Sequence, residues 1–250
     1  MRFQGRTAFI TGGAIGLGRA FARALTAEGA SVAIVDIDGA TAERTAAELT
    51  AQGAKAIAVM CDVADEQRVD TAVGVTIEQL GGIDILINNA GRHLMKYNQP
   101  FSVLSRADVR ELFDVNVIGV INCTLGCRDS MRDRGGGVVL NISSMAGFMN
   151  ISPYGVSKLA VRGLTVAFAT ELSADRIRVN AIAPGLINTE NALADLPHAL
   201  VNDIIWERQL VHRLGTMDDV VSAMLYLCSD EASFITGETL KVSGGYPLNF

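Results

Sequence analysis

The 250-residue chain is short of the residues on which several kinds of protein depend. Its four cysteines, Cys61, Cys123, Cys127 and Cys228, form no C-x-x-C pair. Its three histidines, His93, His198 and His212, stand at no ligand spacing, so zinc-finger and dithiol redox chemistry are excluded and no metal is expected. Cys123 and Cys127, four residues apart, read as small buried side chains on one helix face. No run of five or more basic residues occurs, and 21 Lys and Arg against 27 Asp and Glu leave a net charge of −6. A nucleic-acid partner is therefore not expected. No apolar run approaches the roughly 18 residues of a membrane span. The opening stretch MRFQGRTAFITGG passes straight into a strand pattern without the apolar core of a signal peptide, which predicts a soluble, cytoplasmic protein. Prolines number only five, and no linker, low-complexity tract or internal repeat interrupts the chain. The expectation is one domain over residues 1–250.

What is present is alternation. Short apolar, β-branched runs fall at Thr7–Ile10, Ser31–Val35, Ala56–Met60, Ile83–Ile87, Val138–Ile142, Arg178–Ala183 and Thr239–Val242. Helical patterns lie between them, at Gly16–Glu28, Ala40–Gln52, Glu66–Leu80, Ala107–Arg132, Pro153–Ser173 and Asp218–Cys228. Strands that are apolar throughout and separated by helices build an α/β fold: a doubly wound, Rossmann-like parallel sheet of about seven strands, with helices on both faces. Local signals agree, with Ser105 and Asp108 spaced as a capping box and Ser152-Pro153 as an N-cap followed by a helix-starting proline. Residues 188–214 are less regular and read as a substrate lid above the sheet.

After the first strand comes Thr11-Gly12-Gly13-Ala14-Ile15-Gly16-Leu17-Gly18, opening a helix. Such a turn lets a pyrophosphate approach the backbone and rest on the amide groups at the helix N-terminus. The second strand ends at Asp36, where a dinucleotide fold carries the acid that hydrogen-bonds the adenosine ribose. A 2′-phosphate would meet this carboxylate within a few Å, at a cost on the order of a few kcal/mol. Ala14 and Ile37 offer no positive charge to offset it, so NAD is expected rather than NADP.

These residues, together with Cys61-Asp62-Val63, Asn88-Asn89-Ala90-Gly91, Asn116, Tyr154-x3-Lys158 and Pro184-Gly185-Leu186-Ile187-Asn188-Thr189, resemble the short-chain dehydrogenase/reductase family over essentially the whole chain. The resemblance implies that Gly12, Ile15, Gly16, Gly18, Asp36 and Ile37 bind the cofactor. It implies the same of Asp62, Val63, Asn89, Ala90 and Gly91, with Asp62 contacting adenine. Pro184, Gly185, Ile187 and Thr189 would hold the nicotinamide end. It further implies that Asn116 marks a helix distortion whose carbonyl holds a water for proton relay from Lys158.

The case for Tyr154 and Lys158 also stands on physical grounds. Four residues apart on a helix, their side chains share a face, and an ammonium beside a phenol lowers its pKa toward working pH. Of the adjacent serines, strand alternation turns only one toward a substrate. Ser144, with glycine three residues on at Gly147, matches the family spacing; Ser143 does not. The catalytic set is thus Asn116, Ser144, Tyr154 and Lys158, acting as an NAD-dependent alcohol dehydrogenase or ketoreductase. Tyr154 lies only ten positions after Ser144, fewer than the family commonly has, so the substrate wall differs there.

His93, Met145, Met149, Leu186 and Trp206 are the expected pocket residues, and their size favours an apolar secondary alcohol or ketone. No arginine or lysine among them is an evident carboxylate anchor; Arg92 and Lys96 are the nearest candidates. Two other readings stay open: a 3-oxoacyl-carrier-protein-type reductase, disfavoured by Asp36, and a non-catalytic dinucleotide-binding regulator, disfavoured by the intact catalytic set. The apolar tail Tyr246–Phe250 and the Ala107–Arg132 and Pro153–Ser173 helices are expected to contribute subunit contacts in a homotetramer.

Overall fold

The apolar runs form strands β1 (Thr7–Thr11), β2 (Ser31–Asp36), β3 (Ala56–Met60), β4 (Ile85–Asn88), β5 (Gly137–Ile142), β6 (Ile177–Pro184) and β7 (Thr239–Val242). In the computed structural model, which describes residues 1–92, 94–149, 151–188 and 197–248, they pair in parallel in the order β3-β2-β1-β4-β5-β6-β7. Helices follow the strands: α1 (Gly16–Ala27), α2 (Gly39–Ala51), α3 (Glu66–Leu80), α4 (Leu94–Tyr97) and α5 (Arg106–Phe113). Then come α6 (Gly119–Asp133), α7 (Ala146–Met149), α8 (Pro153–Glu171), α9 (His198–Asn202) and α10 (Met217–Cys228).

Period-two alternation splits each strand between two cores. Ala8, Ile10, Val32, Ile34, Ile85 and Ile87 face Phe21 and Leu25 of α1 and Val220 and Met224 of α10. Phe9, Ala33, Val35, Leu86 and Val139 face Val69 and Val73 of α3, Met131 of α6 and Phe168 of α8. Cys123 and Cys127 lie in this second core, where burial pushes both thiols well above their ordinary pKa. They pack as small apolar residues. Beneath the cleft a buried polar chain ties strands to helices: Asn88 donates to Asn141 Oδ1 at 2.9 Å, and Asn141 donates to Thr165 Oγ1 at 3.0 Å.

The helix read as Ala107–Arg132 carries a distortion at Asn116, as the family resemblance implied: a π turn over Asp114–Ile118 lies between α5 and α6 within one helical run, with Asn116 buried inside it. One local expectation needs correction. The Ser105–Asp108 pair makes only half of a capping box. Ser105 Oγ accepts from the Asp108 amide at 3.0 Å, but the Asp108 carboxylate turns to the Ser105 hydroxyl and the Lys96 ammonium instead of the cap amide. Both halves of such a box occur at Thr216 and Asp219, ahead of α10. The Ser152 cap is as expected, its Oγ accepting from the Gly155 amide at 3.2 Å.

Candidate active site

The strand order sets β1 beside β4, although β2 and β3 lie between them in the chain. Connections leave these two strands in opposite directions, and a crevice opens outside their C-terminal ends. A cavity of about 640 Å3 occupies that position. It runs from Asp36, Ile37 and Asp62 past Gly12, Ile15 and Gly16 to Asn89, Ala90 and Gly91. From there it continues to Ser144, Tyr154, Lys158, Pro184, Gly185 and Ile187, with Val63 also on its wall. Residues spread over 175 positions of sequence thus share one cleft, because each ends a strand or starts the next helix.

The β1–α1 turn is held from behind. Asn89 Nδ2 donates to the carbonyls of Thr11 and Gly12 at 3.0 and 2.8 Å, and Thr11 Oγ1 accepts from the amides of Asn89 and Ala90, both at 3.0 Å. At Gly16, φ is +55° and a Cβ would meet nothing within 4 Å, so the backbone borders open space at the start of α1. This cradle fits a pyrophosphate on a helix N-terminus. Gly18 does not line the cavity; a Cβ there would lie 2.1 Å from the Gly12 carbonyl oxygen. Its contribution is the close seating of α1 on the turn.

At the far end of the crevice both carboxylate oxygens of Asp36 are fixed, accepting from the amides of Ala14 and Asp38 at 3.1 Å each. The acid is therefore pre-oriented toward the place where a ribose would lie.

At the other end α8 carries Tyr154 and Lys158 to the floor of the cleft. Lys158 is 5% exposed; its Nζ donates to the Ile142 carbonyl at 2.8 Å and sits 5.8 Å from the centre of the Tyr154 ring. Burial pulls the Lys158 pKa down to about 8. Burial pushes the Tyr154 phenol up to about 12, against the lowering effect of its hydrogen bond with Ser144. Both serines follow the end of β5 and line the cleft, but their hydroxyls have different partners: Ser144 meets Tyr154, whereas Ser143, 2% exposed, donates to the Lys158 carbonyl at 2.9 Å and ties the end of β5 to α8. The glycine three residues after Ser144 now has a physical reason: a Cβ on Gly147 would lie 2.8 Å from the Lys158 carbonyl carbon. Asn116 does not line the cavity but stands behind it. Its Oδ1 accepts from the Arg92 amide at 2.8 Å and its Nδ2 donates to Ser157 Oγ at 3.0 Å. A Cβ on Gly91 would sit 3.2 Å from Asn116 Oδ1 and 3.5 Å from Lys158 Nζ, which measures how closely the three residues gather.

Of the expected pocket residues, Met145, Met149 and Leu186 line the cleft. Trp206 does not: it is 60% exposed and stacks on His212, with centroids 5.7 Å apart. His93 and Thr189 lie outside the described residues. Lys96 is paired with Asp108 and Glu111, and Arg92, which does reach the cleft, is paired with Glu111. In the tail, Tyr246 lines the cleft and accepts a hydrogen bond from Arg208 at 3.1 Å. Leu200, Ile204 and Arg208 on the lid were missed, although their spacing of four was a legible sign of one helix face.

A protein-family model described as enoyl-(acyl carrier protein) reductase matches residues 12–247. An uncharacterised oxidoreductase of Mycobacterium tuberculosis is 39% identical over 243 residues, covering 97% of this chain and 98% of the relative. The 7alpha-hydroxysteroid dehydrogenase of Escherichia coli K12 is 36% identical over 248 residues, covering 98% and 95%. A solved 7alpha-hydroxysteroid dehydrogenase, complexed with NADH and 7-oxo glycochenodeoxycholic acid, superposes with a TM-score of 0.90 at 34% identity, covering 98% of this chain and 95% of that one.

Proposed function

The chain belongs to the short-chain dehydrogenase/reductase family, and from that premise we propose that it transfers hydride between NAD and a largely apolar secondary alcohol or ketone. The observation that carries this reading is the single cleft in which Asp36 borders one end and Ser144, Tyr154 and Lys158 the other. NAD is the redox partner the residues fit, supplying the hydride acceptor or donor that no side chain can provide. The NADH-bound relative, with its oxo-steroid, supports both the cofactor and an apolar ketone.

In alcohol oxidation, Tyr154 Oη takes the proton of the carbinol hydroxyl while Ser144 Oγ hydrogen-bonds the same oxygen and orients it. Lys158 stabilises the Tyr154 phenolate and holds the nicotinamide ribose. The carbonyl of Asn116, in its π turn beside Lys158, would hold a water through which the proton passes from Lys158 toward solvent. Of the region read as a lid, the described residues Leu200, Ile204 and Arg208 border the substrate. In ketone reduction the same groups act in reverse.

The direct test is NADH absorbance followed across a panel of secondary alcohols and ketones, where turnover of apolar cyclic or aromatic members is expected. Failure of every member, with NADH still bound, would overturn the assignment. In the same assay Asp36→Ala should cut the preference for NADH over NADPH by about tenfold or more, because the fixed carboxylate no longer repels a 2′-phosphate. An unchanged ratio would show that selectivity lies elsewhere.

The homotetramer also belongs to this reading. Its support is the exposed apolar side chains of Ile118, Leu125, Leu159 and Val166 on the two helices named for subunit contacts. Sedimentation should give a tetramer; a monomer refutes it.

A further inference from the structure

The charged residues along the cleft are segregated by sign. Among its described lining residues, the three carboxylates, Asp36, Asp38 and Asp62, follow β2 and β3 at the adenosine end. The three cations, Arg92, Lys158 and Arg208, gather at the other end, where a substrate reaches Tyr154. A neutral ketone needs only Lys158 of these.

Arg208 is built into this wall by the lid. α9 runs on into a π segment, Asp203–Arg208, and Leu200, Ile204 and Arg208, four apart, all face the cleft. This stripe is apolar for two positions and then ends in a guanidinium. The Tyr246 side chain closes the corner, with its hydroxyl 3.1 Å from Arg208 NH1 and its ring centre 5.7 Å from the guanidinium carbon. Asp203 holds the other side of Arg208 at 2.6 Å but does not line the cleft, so the guanidinium is oriented without a carboxylate intruding on the cavity. A planar fork whose remaining N–H groups have no partner among the described residues, beside a phenol, is suited to a carboxylate.

We propose that the substrate is amphipathic: an apolar alcohol or ketone whose far end carries a carboxylate bound by the Arg208 guanidinium and the Tyr246 hydroxyl. This rests on reading the cleft as an alcohol and ketone site. Leu186, Met145 and Ile204 cover the apolar body, and the acidic group projects to the mouth of the cleft. The anchor selects the substrate and takes no part in proton transfer.

The test uses ω-(4-acetylphenyl)alkanoic acids of increasing chain length and their primary amides, which differ only in charge. For at least one chain length the wild-type protein should reduce the acid about tenfold more efficiently than its amide, mainly through KM. Arg208→Gln should erase that ratio by weakening the acid and leaving the amide unchanged, and Arg208→Lys should restore part of it. A merely structural Arg208 would lower acid and amide alike, and that result, or equal efficiency in the wild type, overturns the proposal. Calorimetric binding of the acids and amides to the NADH-loaded protein separates this inference from the reading beneath it. If neither ketone turns over but the acid binds about tenfold more tightly than its amide, and loses this in Arg208→Gln, the anchor stands and the activity assignment falls. Turnover of both ketones without discrimination does the reverse. Neither turnover nor preferential binding sinks both. Tyr246→Phe, which keeps the ring packing, should weaken the acid alone by a few-fold.

Discussion

Tyr154→Phe is expected to lower turnover by about a thousandfold while NADH affinity changes by no more than a few-fold. The substitution removes one oxygen atom and leaves the ring in its packed position, so the cleft keeps its shape. What is lost is the group placed to exchange a proton with the substrate oxygen while sharing a hydrogen bond with Ser144. Burial, even against that hydrogen bond, pushes this phenol up to about 12, which would leave it protonated at neutral pH. The compensating charge is the Lys158 ammonium, 5.8 Å from the ring centre. Lys158, itself drawn down to about 8 by burial, is still mainly protonated at pH 7, so its positive charge favours the phenolate there. The sign follows: an ammonium beside the phenol lowers the phenol pKa, and removing it raises that pKa. In Lys158→Met the rising limb of kcat/KM for alcohol oxidation should therefore move to higher pH. Stopped activity with intact NADH fluorescence titration is the expected pattern for Tyr154→Phe. Turnover within tenfold of the parent would remove Tyr154 from the chemistry.

Gly18→Ala is expected to destabilise the fold by about 3 kcal/mol and to weaken NADH binding at least tenfold. Alanine is the better helix former by about 1 kcal/mol, so intrinsic preference argues the other way. The contact decides the outcome. A Cβ 2.1 Å from the Gly12 carbonyl oxygen cannot be accommodated by a side-chain rotation, because both partners are held by backbone. Either α1 moves away from the turn or the turn itself deforms, and each disturbs the amides that would receive a pyrophosphate. Gly74 provides the control, being a helical glycine whose added Cβ would meet nothing within 4 Å. Alanine there should raise stability by about 0.5–1 kcal/mol in urea unfolding and leave NADH affinity alone. Equal behaviour of Gly18→Ala and this control would refute the packing argument.

Gly18 also shows why part of the site was hidden in the sequence. Its position in the turn was legible; that it acts through a contact with Gly12 depends on where the chain folds back, which no spacing encodes. The sheet was legible because a parallel strand buried on both faces is apolar along its length, as at Ile85, Leu86 and Ile87. The π turn was not. Its extra residue is held by Asn116 reaching the Arg92 amide on one side and Ser157 on the other, two contacts distant in the chain. Trp206 misled for a related reason: its bulk suggested a pocket wall, but the π segment turns it onto His212 and presents Ile204 and Arg208 to the cleft. Ser144 was recoverable from the position of Gly147, and the structure supplies the cause.

That cause has a bearing on redesign. Gly147 lies too close to the Lys158 carbonyl to accept any side chain, Ser143 is bonded to the same carbonyl, and Arg162 NH1 donates to the Gly147 carbonyl at 2.8 Å. One side of the substrate chamber is thus fastened to the helix that performs the proton transfer, and altering it disturbs Tyr154 and Lys158 together. The opposite side, formed by Leu200, Ile204 and Arg208, shares no hydrogen bond with that helix among the described residues. A library confined to those three positions should yield new substrate preferences at little loss of stability, whereas diversity introduced at 143–147 should yield mainly inactive protein. The molecule divides its own surface into a part that can be retrained and a part that cannot.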